Sequence, residues 1–171
     1  MRLLGLEKVI FIPSGHPPHK PKGGISPAQK RLAMTRLAIR NQPGLEVSQM
    51  EIRRRGTSYT IFTARAMHKQ FRGRELFFIV GADTARDLPT WKSYRELMRL
   101  VRFAVIARPG CAMKATPGYR DRFVLLRSKG IPLASHQLRR ALAEGRIPSG
   151  SIPAAVARYI RAHSLYLKRK V

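Results

Sequence analysis

Acidic residues are scarce. Nine Asp and Glu stand against 34 Lys and Arg in 171 residues, a formal net charge of +25. The nine form no pair spaced for general acid–base work. Cysteine occurs once, at Cys111. That excludes an intramolecular disulfide and a cysteine-only zinc site, and it fits a reducing compartment. The longest apolar runs fall far short of the ~20 residues a membrane helix needs. The start, Met1 to Lys8, lacks the apolar stretch and cleavage site of a secretory leader. There is no G-x-S-x-G, no P-loop lysine and no metal-ligand spacing. Metal ligands are therefore not assigned. The expectation is a soluble, cytoplasmic protein with no membrane partner.

What is present argues for a folded enzyme-sized domain. Hydrophobic residues make up 44% of the chain, too many for a disordered polyelectrolyte. The length fits one domain over residues 1–171 with a core of its own. So large a positive charge attracts polyanions, and nucleic acid is an open partner class. It is not the favoured one. The positive residues are spread from Arg2 to Lys170, and the densest runs are only Arg53-Arg54-Arg55 and Lys168-Arg169-Lys170. A basic surface around an anion-binding pocket accounts for the charge more simply.

Strand-like and helix-like segments alternate. Val9 to Ile12 reads as a buried strand. Ser26-Pro27 reads as a hydroxyl N-cap with proline in the first helical position, opening a helix that runs to about Asn41. Leu45 to Ser48 is a short strand. Ile61, Ala64, Met67 and Phe71 recur at helical spacing within Tyr59 to Phe71. Leu76 to Val80 and Phe103 to Ala107 are uninterrupted apolar runs, as expected of parallel strands covered on both faces. A helix is expected over Ser93–Leu100, a less regular stretch up to Pro132, and two helices near Ser135–Glu144 and Ala154–Ala162. Alternation of this kind predicts the doubly wound α/β class, a parallel sheet with helices on both faces. Ligands on such sheets sit beyond the carboxyl ends of the strands.

The candidate residues follow the strands. Pro17-Pro18 stiffens the loop after the first strand and presents His19 and Lys20, both suited to a phosphate. An ordinary basic surface loop would read the same way. Gly56 to Thr60 precedes a helix, where backbone N–H groups and hydroxyls hold anions. Simple capping by Ser58 or Thr60 is the alternative. Gly81 allows close backbone approach after the next strand, and Asp83 can accept from ribose hydroxyls or cap a helix. Trp91, the only tryptophan, offers a stacking face or a packing group. Arg108 ends a strand. Ser135 and Arg139 share one helix face and suit a polyphosphate, or serve as a cap and a solvated arginine. His68 and His163 have no partners at ligand spacing and are expected to be surface or packing residues.

In this order and spacing the segments resemble bacterial nicotinate-nucleotide adenylyltransferase, of the nucleotidylyltransferase superfamily, over essentially the whole chain. The residues that carry it are Phe11-Ile12-Pro13 with Pro17-Pro18-His19-Lys20, Glu51 with Ser58-Tyr59-Thr60, Gly81-Ala82-Asp83 followed by Trp91, Arg108-Pro109-Gly110, and Ile152 to Val156 with Tyr159-Ile160 and Leu165-Tyr166. The resemblance implies a Rossmann-like fold and adenylyl transfer from ATP to nicotinate mononucleotide, with Mg²⁺ accompanying the nucleotide. It implies that Thr60 and its backbone hold the nicotinate carboxylate. Trp91 would stack on the pyridine and Lys92 would add backbone contacts. His19 and Lys20 would lie near the mononucleotide phosphate, and Asp83 at the dinucleotide crevice. Gly81, Arg108, Ser135 and Arg139 would serve the ATP side.

The sequence departs from the family pattern in two places. The motif isoleucine-serine-serine-threonine-x-isoleucine-arginine stands here as Leu133 to Arg139, with Ala134 and His136 replacing a serine and the threonine. The family's first strand and its H-x-G-H motif have no counterpart, so no catalytic residue is assigned. In the family that strand lies between those at Val9 and Leu76. The expectation is that the working enzyme carries residues upstream of Met1. An inactive remnant and a basic polyanion-binding protein are the alternatives. The sequence does not set the oligomeric state.

Overall fold

A computed structural model describes residues 1–18, 25–107, 119–127 and 135–167. Its regular elements alternate as strands and helices. They are β1 (Val9–Phe11), α1 (Ala28–Ala38), β2 (Leu45–Val47), α2 (Met50–Arg53), α3 (Thr60–Gln70), β3 (Phe77–Gly81), α4 (Ala82–Arg86), α5 (Tyr94–Leu100), β4 (Arg102–Ala107), β5 (Phe123–Arg127), α6 (Ser135–Ala143) and α7 (Ala154–Ala162). Short 3-10 turns occupy Arg2–Leu4, Leu88–Thr90 and Arg120–Arg122. Every strand pair is parallel, as the α/β reading requires.

The chain divides into two compact units, Met1–Thr57 with Ile131–Val171, and Ser58–Gly130. The first holds β1 paired with β2, with Val9 opposite Leu45 and Phe11 opposite Val47. Lys8 and Glu46 form an ion pair at 2.9 Å beside that pairing. Its apolar core joins Leu142 of α6 to Val156 and Ile160 of α7, with Met34 and Leu37 of α1 packed against them. Lys30 of α1 donates to Nδ1 of His163 at 2.9 Å, just past the end of α7. His163 is exposed and takes this surface hydrogen bond, within the surface-or-packing expectation.

The second unit is the three-stranded sheet β3-β4-β5. β4 is central, and Phe103, Ala104 and Val105 are fully buried. Leu97 and Met98 of α5 and Ile61 of α3 close over the same core. Phe103 stacks on Phe123 of β5 with ring centroids 5.7 Å apart and meets Phe78 of β3 at 5.9 Å.

Four expectations need correction. β5 lies in the stretch read as irregular. Its apolar core, Phe123 to Leu126, is only four residues long, and runs that short are ambiguous from pattern alone. β1 is not buried: its residues are half-buried or exposed, with Phe11 at 40%. β3 is covered less than its apolar run suggested, and Ile79 is 43% exposed. Among the described residues β1 has only β2 beside it and β3 only β4, so each is an edge strand. Finally, α1 starts one residue late, with Pro27 at the N-cap and no side-chain cap. The Ser26 carbonyl instead accepts from Nε of Arg31.

Candidate active site

The Ser58–Gly130 unit gathers two segments that the sequence presents 31 residues apart, Thr60 and Trp91. Gly56 turns the chain at φ 84° ahead of α3. Tyr59 is then extended, at φ −78° and ψ 134°, and forms the N-cap without a side-chain hydrogen bond. Neither Ser58 nor Thr60 is the cap, so the simple capping role does not hold. Ser58 is buried and Thr60 half-buried at the first position of the helix. The first N–H groups of any helix lack intrahelical acceptors and point outward, which suits an anion.

Trp91 ends the turn Leu88–Thr90. Its N–H donates to the Leu88 carbonyl at 3.0 Å, and its own carbonyl accepts from Tyr94 N–H at 3.1 Å. The indole is half-buried and meets Phe78 edge-on, with centroids 5.9 Å apart at 89°. Trp91 therefore packs against the sheet. Beyond it, Lys92 sends its ammonium back over the rings at the start of α3. Nζ lies 4.6 Å from the Tyr59 centroid and 5.2 Å from that of Phe62. Tyr59 and Phe62 themselves meet edge to face at 6.1 Å. Lys92 on Tyr59 therefore ties the Thr60 helix start to the Trp91 turn.

A second tie runs between the same two helices. Arg65 of α3 grips Glu96 of α5 through two hydrogen bonds, at 2.7 and 2.6 Å. These bonds hold the Glu96 carboxyl below its usual range and raise the Arg65 guanidinium. The sequence reading missed both Phe62 and this pair. The aromatic spacing of Tyr59 and Phe62, one helical turn apart, was the available signal.

Gly81 is the N-cap of α4 and is extended, at φ −77° and ψ 158°. A Cβ there would meet no described atom within 4 Å. Neither strain nor packing calls for glycine, and what it supplies is open space at the end of β3. Asp83 sits in the first turn of α4, exposed. Nη2 of Arg86 donates to its Oδ1 at 2.5 Å, so an ion pair occupies one oxygen of the candidate ribose acceptor.

In the other unit, Ser135 opens α6 and Arg139 follows one turn later. Both are exposed and share a face. Glu51, one of the residues that carried the resemblance, is buried in α2. Arg31 donates through Nη2 to the Gly15 carbonyl at 3.3 Å, anchoring the loop after β1. Burial lowers the Arg31 pKa, against the opposing charges of Tyr166 and Glu51. His19, Lys20 and Arg108 lie outside the described residues.

Comparison with known proteins agrees with this architecture. The cytidylyltransferase-like family matches residues 1–144. A probable nicotinate-nucleotide adenylyltransferase of Symbiobacterium thermophilum is 40% identical, over 98% of this chain and 85% of its own length. One from Thermus thermophilus is 38% identical, over 96% of this chain and 86% of its own. Plasmodium falciparum nicotinic acid mononucleotide adenylyltransferase, solved with NaAD, shares the fold at a TM-score of 0.74. That likeness covers 94% of this chain and 83% of the other, at 15% identity. The chain belongs to the cytidylyltransferase-like family and, within it, to the nicotinate-nucleotide adenylyltransferases.

Proposed function

We propose that the protein transfers the adenylyl group of ATP to nicotinate mononucleotide in NAD biosynthesis. A phosphate oxygen of the mononucleotide attacks the α-phosphorus of ATP. The bond from that phosphorus to the bridging oxygen breaks, and pyrophosphate leaves with the electron pair. Nicotinate adenine dinucleotide is the other product. No covalent enzyme intermediate is needed. The protein's part is to hold two anions in line and to stabilise charge as it develops.

The observation that carries this reading is the contact of Lys92 with Tyr59. It brings an anion-receptive helix start and a flat aromatic ring into one unit, as a pyridine carboxylate requires. In this reading Thr60 and its backbone take the carboxylate, Trp91 stacks on the ring and Lys92 contributes backbone contacts. His19 and Lys20 meet the mononucleotide phosphate. Asp83 accepts from a ribose hydroxyl through its second oxygen. Gly81, Arg108, Ser135 and Arg139 serve ATP.

Mg²⁺ enters as the ATP complex. Among the described residues no three His, Cys, Asp or Glu side chains gather to cage a metal. Mg²⁺ commonly keeps its waters and is held chiefly by substrate phosphates. The reading carries with it a cytoplasmic location, where ATP is at hand. Among the described residues no helix is long and apolar enough to cross a membrane.

The test is product analysis with the full-length protein, ATP, Mg²⁺ and nicotinate mononucleotide. Pyrophosphate and nicotinate adenine dinucleotide should appear in equal amounts. Pyrophosphate without dinucleotide, or neither product, would overturn the reading. Nucleic-acid binding, the alternative that the +25 charge leaves open, instead predicts RNA or DNA affinity that falls steeply with salt.

A further inference from the structure

Lys92 carries a charge that no described carboxylate takes up. Within the Ser58–Gly130 unit, Glu75 pairs with Arg102, Asp83 with Arg86, Glu96 with Arg65 and Asp121 with Arg122, and Asp87 pairs with no described cation, Lys92 included. Lys92 has the faces of Tyr59 and Phe62. Aromatic faces attract and orient an ammonium, but they do not neutralise it. Its side chain is exposed, so the charge is open to solvent and to a ligand. It is also placed by chain connectivity. One peptide bond joins Lys92 to Trp91, and the ring beneath its ammonium, Tyr59, adjoins Thr60.

We propose that the Lys92 ammonium is a specificity determinant, favouring a pyridine carboxylate over the neutral pyridine carboxamide. This rests on the proposed mononucleotide site and adds a side-chain role to it. Helix N–H groups and the Thr60 hydroxyl can donate to a carboxylate or to an amide oxygen, so they separate the two weakly. A fixed positive charge separates them by charge alone. Specificity is the difference between the two affinities, and here only one ligand gains. Because the ammonium is exposed, its effect is screened by salt, with a Debye length of about 10 Å at 0.1 M.

Trp91 is the sole tryptophan and reports on the site directly. The full-length protein is titrated with nicotinate mononucleotide and with nicotinamide mononucleotide, and Trp91 fluorescence gives each Kd. Lys92→Met keeps the apolar stem on the rings and removes the charge. It should weaken nicotinate mononucleotide by about fivefold and leave nicotinamide mononucleotide unchanged. Lys92→Arg should restore the preference. Added salt should shrink the preference of the native protein and not that of Lys92→Met. If both ligands weaken together, or neither does, the assignment to Lys92 is wrong while the mononucleotide site stands. If the native protein binds neither ligand, the proposed function falls and this inference with it.

Discussion

The Lys92 ammonium stands 4.6 Å from the centroid of the Tyr59 ring, joining residues 33 positions apart in the chain. The contact fixes the Trp91 turn against the start of α3. Replacing Tyr59 by Leu keeps apolar bulk and removes the ring quadrupole. A double-mutant cycle of Tyr59→Leu with Lys92→Met should show a coupling of about 0.5–1 kcal/mol in thermal or urea unfolding. Strict additivity would mean the ring and the ammonium do not interact in solution.

Trp91 offers a second check. It meets Phe78 in a T-shaped contact, and in the proposed site its face stacks on the pyridine. Base–aromatic stacking is worth about 1–3 kcal/mol, so Trp91→Ala should raise KM for the mononucleotide by about 5- to 150-fold. KM for ATP should change little. Circular dichroism should confirm the fold, because the fully buried core beside it is Leu97, Met98 and Phe103. An equal rise in both KM values would point to a general loss of structure.

The Arg65–Glu96 pair gives a pH dependence of known sign. Its hydrogen bonds depress the Glu96 pKa. A carboxyl depressed in the folded state stabilises above its unfolded pKa and loses that effect as pH falls through the folded one. The Tm gap between native protein and Glu96→Gln should therefore be widest near neutrality. It should close as pH falls through the lowered folded pKa, until both the folded and the unfolded carboxyl are protonated. A gap independent of pH would show that the charge of Glu96 contributes nothing.

Phe103 marks the centre of the second core. It is fully buried between Phe78 and Phe123. Phe103→Ala should cost about 3–5 kcal/mol in urea unfolding, a large share of a typical total of about 5–15. A loss below about 1 kcal/mol would mean that the site collapses around the cavity.

Where the sequence was readable and where it was not has a physical basis. Phe103 to Ala107 is an uninterrupted apolar run in the central strand, where Phe103, Ala104 and Val105 are fully buried and Ile106 is 38% exposed. The two helices expected near Ser135–Glu144 and Ala154–Ala162 are α6 and α7. β5 escaped because four apolar residues between arginines carry no period. α4 escaped because Ala82 to Arg86 is barely more than one turn. Exposure of Ile79 and Phe11 escaped for another reason: an apolar run reports what a strand can bury, not what covers it. In the site, Thr60 and Trp91 were visible as residue types and through resemblance. The pairing of Lys92 with Tyr59 and of Arg86 with Asp83 was not, because side-chain contacts of this kind are decided by packing. Arg31 shows the same limit, since nothing in its sequence setting announces a bond to the Gly15 carbonyl.

On the ATP side, Arg139 is exposed and shares a helix face with Ser135. Arg139→Ala should raise KM for ATP about tenfold or more, the size of a charge-assisted hydrogen bond to phosphate. KM for the mononucleotide should hold. An unchanged KM for ATP would remove Arg139 from the site.

The most direct test of the account is a crystal structure of the full-length protein with nicotinate mononucleotide. The account predicts the pyridine ring against the Trp91 indole, with its carboxylate at the start of α3 beside Thr60. A mononucleotide bound away from both residues would contradict it.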